Sequence, residues 1–438
     1  MAMVVKNNIG AKKTLNELNK NEKAMQKDLK KLASGMKINS AADDASGYAI
    51  SERMAVQIRG LDQDTANTQN SSALLKTASG ALASTMDILK TLKEKAINAA
   101  NDSNTDEDRA TIQKEVDQAL NQIDDNANVT YNGKIMLDGS KNNSVVAGGT
   151  ATHLTNESFE DGTNQATLFI DLKSKLGEPL NIFVGDTVTV SYVKDGQTYS
   201  NTKKITKDLM FGEMFEWTPC RDDIDVQDYS YTSKIGTDQF GNDVYTIDGK
   251  GAISYHAKKN GIEGQIAGLT ICIRDSEGNE RKSVNTIMDD FRETIRAQDE
   301  SDDNAMIFQV GTKANQSIKV GFTDMRASAL GLKGSNGKTI QLTTQVNANA
   351  AINAFDNAVE KVLAQQTTLG AVTSRMKYTE DNLTTASENV TASKSTISDA
   401  DMAKEMTSFT KNNILTQAAQ SMLAQANQSS SSVLNLLQ

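Results

Sequence analysis

Apolar residues recur every seventh position near the C-terminal end: Phe355, Val362, Leu369, Met376, Leu383, Val390 and Ile397. A heptad held that long predicts a long helical seam packed against other helices. A matching series lies toward the other end: Met54, Leu61, Thr68, Leu75, Leu82, Leu89 and Ala96. Two such seams at opposite ends predict an out-and-back rod. The expected fold is mostly α, with long antiparallel coiled-coil helices from both termini and an inserted β-rich α+β domain.

Punctuation along the chain divides these helices. Leu15, Leu18, Met25, Leu29, Leu32 and Met36 follow a 3-4 spacing, interrupted by Glu22. Gly35 then suits a helix stop, because glycine tolerates the left-handed C′ conformation. Ser40-Ala-Ala-Asp43 resembles a capping box that starts the next helix. That helix is expected from about Asp44 to Ala100, roughly 85 Å at 1.5 Å per residue. Thr105-Asp-Glu-Asp108 starts a shorter helix with Ile112, Val116, Leu120 and Ile123 on one side. Asn132-Gly133 and Asp138-Gly139 mark tight turns. On the return path a helix is expected from about Gln345 to Ile397. Ser398-Asp-Ala-Asp401 breaks it, and a last arm carries Met402, Met406, Phe409, Ile414 and Met422.

The middle has another period. Val188, Val190 and Tyr192 alternate ahead of Asp195-Gly196 and Thr198-Tyr199, which predicts a hairpin. Thr167–Ile170, Val244–Ile247, Ala252–Tyr255 and Leu269–Ile273 are further strand candidates. Val284, Ile287, Met288, Phe291 and Ile295 fit one amphipathic helix. Met306–Val310 and Ser317–Phe322 flank Lys313-Ala-Asn315 as a second hairpin.

Composition sharpens the division. Both prolines (Pro179, Pro219), both cysteines (Cys220, Cys272), both histidines (His153, His256) and Trp217 lie mid-chain. The net charge is −10, yet residues 1–40 carry nine lysines against Glu17, Glu22 and Asp28. These lysines interleave with helical apolar positions and no aromatic residue, which fits a solvated helix face rather than a nucleic-acid arm. No apolar run in the first twenty residues is long enough for a signal peptide. No stretch approaches the ~18 apolar residues of a membrane span. Sequence alone therefore points to the cytoplasm unless export uses another route. Neither a nucleic-acid nor a membrane partner is expected.

Energetics separate the ends from the centre. Burying a Leu, Val or Phe side chain contributes roughly 1.5–3 kcal/mol. Ordering each residue costs about 1–2 kcal/mol in backbone entropy. An arm with one apolar residue per three or four cannot offset that alone. The terminal arms are expected to be disordered in the monomer and to fold on association.

Several segments carry a resemblance. Lys31–Ile50 reads KLASGMKINSAADDASGYAI and closely resembles the N-terminal signature of bacterial flagellin. Tyr131–Gly139 (YNGKIMLDG), Asp324–Leu332 (DMRASALGL), Asn413–Asn427 (NILTQAAQSMLAQAN) and Ser432–Gln438 (SVLNLLQ) are similar to later segments of that family. The resemblance implies terminal filament-core helices at 1–43 and 399–438. It implies a helical rod with a short β-hairpin at 44–142 and 304–398, and a variable surface-exposed domain at 143–303. The implied function is a subunit that polymerises with copies of itself into the flagellar filament. Leu15, Leu18, Leu29, Leu32, Met406, Phe409, Ile414, Met422, Leu434, Leu436 and Leu437 would form the polymerisation seam. Export through the flagellar type III channel is implied, with a chaperone holding roughly Asp401–Gln438. The terminal leucines also resemble a feature that cytosolic inflammasome sensors read; packing within the polymer accounts for them equally.

The family is also a ligand of a host Toll-like receptor, through a patch usually reading LQRVRELAV. Here Leu89–Ile97 reads LKTLKEKAI, so the receptor-facing residues would be Leu89, Thr91, Lys93, Glu94 and Ile97. Thr91 replaces an arginine, and a hydroxyl cannot reproduce a bidentate guanidinium contact. Weakened activation is expected.

Enzymatic chemistry is not expected. The histidines are a hundred residues apart and lack the His-Glu-x-x-His spacing of an inserted zinc protease. No base pairs with either cysteine in the sequence, and the glycines form no phosphate-binding fingerprint. No cofactor or metal is expected. A Cys220–Cys272 bridge and two separate thiols both remain open. Two other readings stand beside the filament subunit. One is a hook–filament junction protein; the other is a filament-borne adhesin using Trp217 and six tyrosines between 192 and 255 as stacking surfaces.

Overall fold

The computed structural model describes residues 8–216, 223–229, 233–246 and 252–436. Helical termini flank a strand-rich centre. The chain divides into two compact units. The first comprises Met1–Asn67, Val310–Gln316 and Tyr378–Gln438; the second comprises Thr68–Gln309 and Ser317–Lys377.

The helices are α1 (Ile9–Ser34), α2 (Ala45–Ala99), α3 (Asp106–Ala127), α4 (Lys282–Met288), α5 (Gln345–Ser398) and α6 (Met402–Leu436). Their ends follow capping chemistry. Thr105 and Asp108 form a reciprocal capping box at the start of α3. The Thr105 hydroxyl and N–H hold the Asp108 carboxyl below its usual range. At α2 the expected box is displaced. Ser40 donates to Asp43 at 3.1 Å within a turn. The cap is Asp44 instead, whose Oδ1 accepts from the Ser46 and Gly47 N–H groups, both at 3.0 Å.

In the second unit both heptad series lie on buried faces. Thr68, Leu75, Leu82, Leu89 and Ala96 of α2 are fully buried, as are Phe355, Val362, Leu369 and Met376 of α5. Lys93 of α2 pairs with Asp356 of α5 at 2.5 Å. α3 is held by the segment ahead of α5: Gln113 donates to the Ile340 carbonyl and accepts from the Leu342 N–H. Asp124 accepts from the Ala327 N–H and from Lys333.

Among the described residues the strands form small antiparallel sheets. β1 (Thr130–Tyr131) and β2 (Lys134–Ile135) flank the Asn132-Gly133 turn. β3 is His153–Asn156. β4 (Thr187–Lys194) and β5 (Gln197–Lys204) form the expected hairpin, with Asp195 and Gly196 both at positive φ. β6 (Ile224–Tyr229), β7 (Lys234–Thr237), β8 (Asp243–Tyr245), β9 (Ala252–Ala257) and β10 (Ile266–Arg274) follow. β11 (Arg292–Ile295), β12 (Met306–Gln309) and β13 (Ser317–Val320) complete the set. One sheet has the order β10-β4-β5, a second has β11-β3-β9-β6, and β7–β8 and β12–β13 are hairpins. One apolar cluster joins the two larger sheets to α4 through Val190, Tyr192, Ile253, Tyr255, Ile271 and Met288.

The exposed edge of β10 is covered by α5. Asn353 and Asn357, one turn apart, donate to the carbonyls of Leu269 and Ala267. This satisfies a strand edge that would otherwise be open to pairing. Gly268 permits the approach, since a Cβ there would lie 2.7 Å from the Ala354 nitrogen.

Two expectations fail here. Thr167–Ile170 is not a strand: Phe169–Asp171 form a 3-10 turn that buries Phe169 completely. The helix expected through Ile295 stops at Met288. Asp289 accepts from the Ile271 N–H of β10, and Arg292–Ile295 pairs with β3 instead. The Val244–Ile247 candidate appears as β8; residue 247 lies outside the described residues.

Candidate functional site

In the first unit α1 and α6 run antiparallel. Asn8 donates to the Ala426 carbonyl at 3.2 Å, Asn412 donates to Asp28 at 2.7 Å, and Lys31 pairs with Glu405 at 3.2 Å. α1 is capped by the Asn8 side chain at the Ala11 N–H and ends on Gly35 at φ 69°. Beyond it, Met36 bridges Asp399, the Lys37 N–H donates to Ser398, and the Ala400 N–H donates to Gly35. Asp401 then caps α6 through the N–H groups of Ala403 and Lys404.

This pair carries apolar residues on two faces, unlike an ordinary helix hairpin with one apolar stripe. The inward positions of α1 are Leu18, Asn21, Met25, Asp28 and Leu32, in a 3-4 spacing. Those of α6 are Glu405, Phe409, Asn412, Thr416, Ala419, Leu423 and Ala426, with the same spacing. Five of these twelve are polar: Asn21, Asp28, Glu405, Asn412 and Thr416. A second set of large apolar residues points outward: Leu15 is 44% exposed, Leu29 53%, Met406 48%, Ile414 60% and Met422 63%. Met36, Met402 and Leu415 are exposed as well.

The residues assigned to one polymerisation seam therefore divide. Leu18 is buried, and Leu32 and Phe409 are half-buried, between the helices. Leu15, Leu29, Met406, Ile414 and Met422 face out. The side chains of Leu434 and Leu436, and residue Leu437 altogether, lie outside the described residues. Sequence reading missed Asn21, Asp28 and Asn412 because a seam was sought among apolar residues only.

The receptor patch also divides. Leu89 is fully buried in the α2 heptad, so it cannot face a receptor. Thr91 and Glu94 are exposed and Ile97 is 53% exposed. Lys93 is half-buried and engaged by Asp356.

Groups with chemical potential lie in the strand-rich region. His153 and His256, far apart in sequence, are cross-strand neighbours whose rings stack at 5.1 Å with a 12° interplanar angle. Asp225 on β6 lies 3.7 Å from His256. Burial, with the second ring beside it, lowers the His153 pKa to about 4; burial lowers that of His256 too. Asp289 is raised to about 6 by burial, against hydrogen bonds from Asn353 and Ile271. Lys361 and Glu293 form a buried ion pair at 3.1 Å. Beside that pair is a cavity of about 350 Å³ lined by Asp138, Arg296, Glu300, Asp324 and Arg326. Its charges are largely matched: Arg326 is forked onto Asp324, and Glu300 accepts from the Gly148 N–H. Among the described residues no three His, Cys, Asp or Glu side chains converge as metal ligands.

Two stacking surfaces proposed for an adhesin are ruled out. Tyr192 and Tyr255 are fully buried, and Tyr199 is half-buried against Tyr192. Trp217 and Tyr231 lie outside the described residues. Cys272 is a half-buried free thiol raised in pKa by burial, and Cys220 lies outside the described residues.

An outward apolar face on paired terminal helices, carried with a strand-rich centre, defines a structural protein built for association. The comparisons agree. Residues 5–142 match the profile of the bacterial flagellin N-terminal helical region, and residues 352–437 that of the C-terminal helical region. A flagellin of Clostridium tyrobutyricum is 33% identical over 97% of this chain and 99% of its own length. A flagellin of Bacillus subtilis is 29% identical over 99% of this chain and 100% of its own length. Among solved structures, a flagellar hook associated protein-3 from Legionella pneumophila aligns with TM-score 0.34 and 16% identity, over 78% of this chain and 97% of its own. The chain belongs to the bacterial flagellin family. It is a structural subunit of the flagellar filament, exported outside the cell. Among the described residues no helix is long and apolar enough to cross a membrane.

Proposed function

We propose that α1 and α6 are the assembly elements of this subunit and that α2, α5 and the strand-rich centre fold without them. The outward apolar residues of the terminal pair support this reading. Left in water they waste the hydrophobic stabilisation that a neighbouring copy would supply. Covering several of them at roughly 1.5–3 kcal/mol each gives association its driving force. On this reading 1–43 and 399–438 are the filament core and 143–303 faces solvent. The C-terminal arm, roughly Asp401–Gln438, is the segment a cytoplasmic chaperone covers before type III export. Removing residues 1–40 or 399–438 leaves a folded, soluble monomer that does not polymerise. Electron microscopy after salting-out checks this; normal filaments from either truncation defeat it.

Recognition by the host Toll-like receptor is weak on the same reading. Thr91 offers no guanidinium, and Lys93 is already held by Asp356. In a dose-response reporter assay Thr91→Arg raises potency over the parent chain. A parent already as potent as an arginine-bearing flagellin refutes the idea.

A further inference from the structure

We propose that the cavity beside the Lys361–Glu293 pair binds the carboxylate of a small polar molecule, held by Arg296 and Lys361. The inference concerns the second unit alone and does not depend on how the subunits assemble.

The cavity, of about 350 Å³, falls within the size range of small-molecule sites. It lies where the turn after β2, the segments after β11 and β13, and α5 meet. The acids on its wall are already engaged. Asp138 accepts from the N–H and hydroxyl of Ser140. Asp299 accepts from the Ile262 N–H, and Glu300 from the Gly148 N–H. Asp324 is taken up by Arg326. Two of the cations are less well served. Arg296 donates to the main-chain carbonyl of Glu360 at 3.4 Å, and among the described residues it meets no carboxylate. Lys361 is 6% exposed and faces Glu293, yet its Nζ makes no well-aligned hydrogen bond among the described residues.

A guanidinium presents a planar fork of N–H donors that matches the edge of a carboxylate. The two cations also oppose one another. Burial lowers the Lys361 pKa, Glu293 resists this, and the Arg296 charge adds to the lowering. A carboxylate in the cavity relieves that repulsion and gives acceptors to donors that the fold leaves without them. Asp299 and Glu300 are exposed at the same cavity and repel a second negative charge. The body of the ligand is therefore neutral or cationic, as in a sugar acid or a free amino acid.

Isothermal titration calorimetry on the full chain, kept monomeric, tests this with gluconate, L-lysine and inorganic phosphate as probes. Saturable binding of a carboxylate with Kd below about 10 mM is expected, with phosphate weaker. Arg296→Gln weakens it roughly tenfold or more. Arg292→Gln removes the same charge from a side chain that is 72% exposed and outside the cavity wall, and it leaves binding unchanged. Should Arg296→Gln fail to fold, Arg296→Lys decides, because it keeps the charge and loses the fork. Weakened binding then supports the site, and undiminished binding overturns it. The site is also overturned by no saturable binding of either carboxylate, by phosphate binding tighter than both, by full binding in Arg296→Gln, or by an equal loss in Arg292→Gln.

Discussion

The helical seam of the second unit and the terminal helix pair of the first share one heptad grammar and differ in how completely it is buried. In α2 and α5 the repeat positions from Thr68 to Ala96 and from Phe355 to Met376 are fully buried and mostly apolar. In α1 and α6 the repeat positions facing inward include Asn21, Asp28, Asn412 and Thr416, while Leu15, Leu29, Ile414 and Met422 face out. The first arrangement is complete within one chain. The second leaves its hydrophobic stabilisation unrealised until another molecule arrives. The transition is graded along α5, where Leu383 is 9% exposed and Val390 and Ile397 are half-buried.

Substitutions can break this contrast, and the strongest strike the completed seam. Phe355→Ala opens a cavity at a fully buried position. It lowers stability by about 3–5 kcal/mol in a thermal or denaturant melt. A loss under 1 kcal/mol would show that the second unit does not depend on this seam. Nearly as large is Lys361→Ala, which strands Glu293 without its partner. About 3 kcal/mol or more is expected, whereas Lys361→Met with Glu293→Leu is close to neutral.

Acid sharpens the contrast next, because both histidines lie in the second unit. For His153 the folded pKa, about 4, is below the ordinary 6.5. The unfolded chain therefore binds more protons between these values, and stability falls as pH drops from 6.5 to 4. Asp289 works the other way. Its folded pKa of about 6 exceeds the ordinary 3.8, so the folded chain binds more protons and stability rises over pH 6 to 4. Each slope amounts to about 3 kcal/mol, and they oppose one another. Asp289→Asn exposes the histidine slope, so that variant melts earlier at pH 4.5 than at pH 7. His153→Phe exposes the other slope. Denaturant melts of both variants across this range check the signs; parallel pH profiles would contradict the assignment.

The smallest effect on the fold belongs to the outward residues. Ile414→Asn and Leu15→Ser change monomer stability by within about 0.5 kcal/mol. They raise the concentration needed for polymerisation, read by sedimentation of filaments. Unchanged polymerisation would remove these residues from the assembly surface.

Much of this was legible in the sequence. The heptad spacing located α2 and α5, and Gly35, Thr105 and Asp401 marked helix ends, because caps depend on local chemistry. Asp195-Gly196 marked its hairpin for the same reason. What escaped depended on distant partners. β3 and β6 were missed, because His153–Asn156 becomes a strand by pairing with β9 and β11, and Ile224–Tyr229 by pairing with β9. The α4 pattern ran on to Ile295 because Phe291 and Ile295 keep the helical period, while β3 pulls that segment into a sheet. Leu89 looked available to a receptor from its motif alone, yet its heptad position buries it. The polar seam of α1 and α6 was hidden for a related reason: nothing local says which face of a sparse amphipathic helix turns inward.

The connectors after α1 and α5 are stitched to each other by main-chain bonds from Lys37 to Ser398 and from Ala400 to Gly35. The joined ends of α1 and α6 are thus aligned by main-chain hydrogen bonds, which substitution of the side chains around them leaves in place.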